Sequence, residues 1–141
     1  MREILFKGKR IDNGEWVEGY YYKISETTYC FKEDYERKPV PEHHYILQER
    51  MTDWGLPNQM VQIEIDPKTL CQFTGMTDKN GVRIWKNDIV EAWSQGSRAI
   101  GTVKQRVDGL WIMSPAWQNH EFWELKPNSN GETTVEVLVN A

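Results

Sequence analysis

Apolar and polar positions alternate with a period of two along much of the chain, in short runs broken by glycine turns. Val61-Gln62-Ile63-Glu64-Ile65 alternates without a fault, the pattern of a strand with one buried face. Trp16-Val17-Glu18-Gly19-Tyr20-Tyr21-Tyr22-Lys23-Ile24 is rich in aromatic and β-branched residues, which suit a pleated, half-buried surface. It follows an apolar-to-basic run at 4–11 across Asp12-Asn13-Gly14, and Asn-Gly marks a tight turn because both residues tolerate positive φ. Residues 2–24 are therefore expected to form a β-hairpin.

The stretch 25–60 is less regular. It holds Pro39, Pro41 and Pro57, a mixed-sign charged run at 32–38 and a polar connection around Thr52-Asp53. Long loops are expected there, with the charged run exposed and one short strand at Tyr45-Ile46-Leu47. Asp66-Pro67 places a capping side chain before a proline, which predicts a single helical turn through Thr69.

Beyond residue 70 the pattern is a series of short strands at hairpin spacing. Turns are expected at Asp78-Lys79-Asn80-Gly81, Gln95-Gly96-Ser97, Asp108-Gly109 and Asn128-Ser129-Asn130-Gly131. Leu110-Trp111-Ile112-Met113 is apolar on both faces and is expected to be central. Ser114-Pro115 is expected to start a brief helical turn carrying Trp117. No long run with a 3.6-residue period occurs. The expected fold is all-β: a small SH3-like barrel over residues 66–141, with the hairpin and loop-rich region of residues 1–65 packed on it.

Three segments resemble the YopX family of phage and prophage proteins. They are Phe6-Lys7-Gly8-Lys9 through Trp16-Val17-Glu18-Gly19-Tyr20, then Ile65-Asp66-Pro67-Lys68-Thr69-Leu70, and the run from Gln72-Phe73-Thr74-Gly75 through Asp78-Lys79-Asn80-Gly81 to Ile84-Trp85-Lys86-Asn87-Asp88-Ile89-Val90. Cys71 and Asn87 stand where the family has glycine. The resemblance implies an all-β fold and a phage-derived gene, and it carries no catalytic residue. Physically, Gly75 and Gly81 suit positive φ, Asp78 and Asp88 suit acceptors of backbone N–H bonds inside tight bends, and Asn87 can enter the left-handed region.

Composition narrows the function classes. The chain has 141 residues and a net charge of −4, which speaks against a dedicated duplex-DNA binder. It starts without an apolar signal core and has no run of membrane-spanning length, so a bacterial cytosol and two free thiols, Cys30 and Cys71, are expected. Adjacent His43 and His44 lack zinc-ligand spacing to either cysteine, so no metal and no cofactor are expected. His120 beside Glu121 and Glu124 is the minimum for acid–base work, but no glycine-rich phosphate loop or nucleophile motif accompanies it. An enzyme is therefore not expected.

Seven tryptophans are the unusual feature, five of them after residue 84. A small core cannot hold them all, and exposed indoles are common anchors of interfaces. Trp117, Trp123 and Trp93 are the candidate contacts, with Lys104 and Arg106 as a basic stripe nearby. The expectation is a non-enzymatic interaction module that binds a host or phage protein, with a homo-oligomer possible. The alternative is a small barrel that binds single-stranded nucleic acid by stacking and charge.

Overall fold

The computed structural model describes residues 4–94, 96–115 and 122–140, except for the side chain of Tyr35. It is all-β, with 52% strand and 6% helix. The chain divides into two compact units, one formed by Leu5–Leu70 and the other by the chain from Cys71 onward together with Ile4.

In the first unit, β1 (Phe6–Lys9) and β2 (Trp16–Ser25) form the expected hairpin, with Phe6 opposite Gly19 and Lys9 opposite Trp16. Gly14 closes the turn at φ 73°. β3 (Glu42–Arg50) and β4 (Gln59–Glu64) follow, and the four strands run antiparallel in the order β4-β3-β2-β1. Val17, Ile46, Ile63 and Ile65 make the buried core, flanked by Phe6, Tyr21, Val61 and Leu70.

Two expectations for this unit need correction. The middle is less loop-rich than expected, because β3 has nine residues. Its pattern hid this, since His43, Tyr45 and Leu47 on one face are hardly more polar than His44, Ile46 and Gln48 on the other. The charged run forms a short helix, α1 (Lys32–Arg37), with Glu33 and Asp34 in its first turn and Arg37 in its last. That order of charges suits the helix dipole. The turn after Asp66 is as expected: Pro67–Thr69 is one 3-10 turn, and Asp66 Oδ1 accepts from the Lys68 N–H at 3.0 Å.

In the second unit, β5 (Cys71–Thr77) pairs antiparallel with β6 (Arg83–Trp85). A five-stranded antiparallel sheet follows in the order β10-β9-β8-β7-β11. Its strands are β7 (Ile89–Ser94), β8 (Ser97–Gln105), β9 (Trp111–Ser114), β10 (Trp123–Glu124) and β11 (Glu136–Val139). Met76, Ile84, Val90, Val103, Trp111, Met113 and Val135 are among its buried core.

The sheet is open, so the SH3-like barrel is not formed. Closure requires the two end strands to pair along a staggered register. Here those strands, β10 and β11, have two and four residues, too short to do so. Ser114 is the last residue of β9 rather than the start of a helical turn, and Trp117 lies outside the described residues.

Candidate functional site

The segment that carries the family resemblance is built for folding. Asp78 is buried, and its Oδ1 accepts from the N–H groups of Asn80 at 2.9 Å and Val82 at 2.8 Å. Its Oδ2 accepts from Val137 N–H at 3.0 Å, which ties the turn to β11. Gly81 takes φ 82°, the conformation the turn needs. Asp88, fully buried, accepts from Trp85 N–H at 2.9 Å, and Asn87 before it does enter the left-handed region at φ 74°. Thr74 donates to the Ile84 carbonyl at 2.7 Å and accepts from Met76 N–H beside the irregularity in β5, where Gly75 has φ 82°. Asp78 thus has both carboxylate oxygens, and Asp88 its Oδ2, turned onto backbone N–H groups.

The candidate contacts in the second unit do not form one patch. Trp123 lies opposite Met113 in the sheet and packs half-buried against the core. Trp93 is exposed on the other face, opposite Arg98, where its Nε1–H donates to Glu91 at 2.7 Å. Lys104 is exposed six residues further along β8, roughly 20 Å away at strand rise. Arg106 follows the end of β8, paired with Asp108 at 2.8 Å and stacked over Phe122 at 5.0 Å. Arg98 is held by Glu91 at 3.1 Å. Trp85 and Trp111 are core residues. His120 and Glu121, like Trp117, fall outside the described residues.

The histidine pair is engaged by the sheet. His43 Nδ1 lies 3.0 Å from Glu64 Oε1 and its Nε2 3.4 Å from Glu26 Oε2. The two carboxylates, Glu64 first, raise its pKa above the ordinary 6.5. His44 Nδ1 pairs with the Tyr21 hydroxyl at 2.7 Å. Among the described residues, no group of three histidines, cysteines or carboxylates is placed to hold a metal ion. No helix of the described residues is long and apolar enough to cross a membrane.

Exposed apolar surface concentrates instead at the tip of the β3–β4 hairpin. Trp54 is 100% exposed, Met51 84% and Leu56 58%, all within one eight-residue connection, 51–58. The connection is a defined turn. Leu56 N–H donates to the Asp53 carbonyl at 3.0 Å, Thr52 Oγ1 donates to the Pro57 carbonyl at 2.9 Å, and Asn58 Nδ2 donates to Glu49 at 2.8 Å. Gly55 takes φ 82°, which lets the chain reverse while Trp54 stays outside.

Behind the tip, the solvent face of the sheet continues the aromatic character. Tyr22 stacks on Tyr45 at 5.2 Å, and Tyr20, Leu47 and Met60 share that face by register. A concavity of about 520 Å³ runs beside β4, floored by residues 61–64 and flanked by residues 10–12 and Arg50. Sequence reasoning missed the tip because Thr52-Asp53 reads as a polar connection. The available signal was three large apolar residues, Met51, Trp54 and Leu56, inside a stretch punctuated by Gly55 and Pro57.

Neither a curated protein nor a solved structure matches the chain. The YopX protein family matches it over residues 5–138, nearly its whole length. The chain therefore belongs to the YopX family.

Proposed function

We propose that this YopX-family chain is a non-enzymatic protein-interaction module, in keeping with the phage or prophage setting its motifs resemble, and that its contact element is the β3–β4 hairpin. The observation that carries this reading is the fully exposed Trp54 on a hydrogen-bonded turn between Met51 and Leu56. An indole offers about 150–250 Å² of surface. Covering it removes water from an apolar area worth roughly 4–6 kcal/mol before the costs of association. A turn already held by its own bonds loses little further freedom on binding, so more of that gain survives as affinity.

The absence of catalysis is part of the proposal. The signature carboxylates Asp78 and Asp88 are turned onto backbone N–H groups, and the concavity beside β4 is open to solvent rather than enclosed. The nucleic-acid alternative has less behind it, because Arg98 and Arg106 already face the carboxylates of Glu91 and Asp108. Steep salt dependence of binding through Lys104 would favour it.

The test is affinity capture from bacterial lysate by the wild-type chain and by Trp54→Ala and Trp93→Ala variants. Capture lost with Trp54→Ala and kept with Trp93→Ala supports the hairpin. Equal capture by wild type and Trp54→Ala, with both folded, refutes it.

A further inference from the structure

His43 stands at the start of β3 with a carboxylate at each ring nitrogen. Nδ1 lies 3.0 Å from Glu64 Oε1, and Nε2 lies 3.4 Å from Glu26 Oε2. A neutral imidazole has one N–H and one lone pair, so it can donate to only one of the two. The imidazolium, with both nitrogens protonated, is the form that satisfies both carboxylates at once.

The remaining neighbours leave that balance to the two carboxylates. Tyr45, on the same strand, stacks on the ring at 6.3 Å, and Tyr22 of β2 stacks on Tyr45. Partial burial, with the Glu64 carboxylate beside it, holds the Tyr45 hydroxyl above the ordinary 10, so it stays neutral where histidine titrates. Ile24, the cross-strand partner of His43 in β2, is apolar. Lys23 and Glu42 pair with each other at 3.8 Å, one position along each strand and so on the other face.

The two carboxylates are not held alike. Glu64 sits in the β4 ladder opposite Tyr45, and its side chain is 30% exposed. Glu26 lies just past the end of β2, and its side chain is 60% exposed. When the ring gives up one proton, the shorter contact with the fixed Glu64 keeps the other. Nε2 then turns a lone pair toward the Glu26 carboxylate, and an attraction becomes a repulsion.

Glu26 opens the excursion at 26–41 that joins β2 to β3 and carries α1. Its backbone N–H donates to the Pro41 carbonyl at 2.9 Å, which closes the base. None of the described side chains of 26–41 is buried, so little packing holds the excursion down. Phe31, just ahead of α1, is 67% exposed.

We infer that His43 is a proton-operated latch on this excursion: the imidazolium ties it through Glu26 to Glu64 of β4, and the neutral ring lets Glu26 go. The latch goes beyond the reading of the β3–β4 hairpin and does not depend on it. Both carboxylates raise the pKa of His43, Glu64 first. The latch is therefore closed below the ordinary 6.5 and opens as pH rises through the higher folded-state value. Its state decides whether Phe31, an aromatic of the kind enriched at interfaces, is presented on a fixed arm or a moving one.

A nitroxide on Cys30 reads the arm, because this thiol is exposed and Cys71 is buried. Its electron paramagnetic resonance spectrum is recorded on the full chain from about pH 5.5 to 9, the range over which histidine titrates. The wild type should gain a mobile component as pH rises. The midpoint should coincide with that of the His43 ring followed by nuclear magnetic resonance, and both should lie above 6.5. Glu26→Ala should be mobile throughout, with a lower ring midpoint and an unchanged circular dichroism spectrum. Glu26→Gln keeps the test decisive if the alanine variant fails to fold. Its amide can accept from or donate to the ring in either state, so the pH step should vanish. Lys23→Ala, which breaks only the pair on the other face, should keep the step. A wild-type spectrum indifferent to pH, a step that survives Glu26→Ala or Glu26→Gln, or a midpoint that departs from that of the His43 ring would overturn the inference.

Discussion

Removing the Asp78 carboxylate tests whether the family's signature serves the fold. Three backbone N–H groups, those of Asn80, Val82 and Val137, converge on this one side chain at 2.8–3.0 Å. The residue is 2% exposed, so water cannot simply replace it. Hydrogen bonds to a charged acceptor contribute about 1.5–3 kcal/mol each, and an orphaned buried donor costs about 1–3 kcal/mol. Asn80 and Val82 are both exposed and their N–H groups can recover water, which leaves Val137 as the main loss. Asp78→Ala should therefore cost about 2–4 kcal/mol, a large share of the 5–15 kcal/mol typical of a folded domain.

Asp78→Asn separates the two sides of the carboxylate. Its amide oxygen can keep the two bonds inside the turn, but its NH₂ then faces the Val137 N–H, donor against donor. The expected cost is about 1–3 kcal/mol. Urea unfolding followed by tryptophan fluorescence measures both, and the order should be wild type, then Asn, then Ala. If Asp78→Ala unfolds within about 0.5 kcal/mol of wild type, the range of a neutral surface change, the reasoning is refuted and the carboxylate serves something other than the fold.

Three further outcomes follow from the geometry. Gly81→Val should cost about 1–3 kcal/mol from backbone strain alone, since φ is 82° and a Cβ there meets nothing within 4 Å; an unchanged denaturation midpoint would contradict it. Gly19→Ala should cost at least about 3 kcal/mol, because its Cβ would sit 2.1 Å from the Leu47 carbonyl oxygen and force β2 away from β3; soluble yield and thermal melting read this directly. The raised pKa of His43 makes its contribution to stability present below the ordinary 6.5 and lost as pH rises through the higher folded-state value. The melting-temperature advantage of wild type over His43→Gln should then shrink between pH 6 and 9, and a constant gap would show that the Glu64 and Glu26 contacts carry no net charge effect.

Local chemistry was the legible part of the fold. Asn13-Gly14, Asn80-Gly81 and Asp66-Pro67 each name their backbone conformation, and Asn87 was compatible with the left-handed region because it stands where the family has glycine and asparagine tolerates positive φ. Val61 to Ile65 alternates cleanly because one face of β4 is core. β3 was obscured because both of its faces carry aromatic or imidazole rings, so no period stands out. The open sheet was not legible either, since closure depends on which distant strands pair and on how short β10 and β11 are. The site failed for a related reason. Seven tryptophans look alike in sequence, and only packing separates core Trp85 and Trp111 from exposed Trp93 and Trp54. Trp123 joined the core because its two-residue strand lies opposite Met113, a pairing between segments ten residues apart.

The emission of Trp54 itself tests the contact reading most directly. The difference spectrum between wild type and Trp54→Phe isolates this indole from the other six. In dilute protein it should emit to the red and be fully open to an aqueous quencher, as its exposure requires. With a captured partner at saturation, it should shift to the blue and lose its quenching. An indole that stays red and open to quencher with the partner bound would contradict the claim that the β3–β4 hairpin is where this protein makes its contacts.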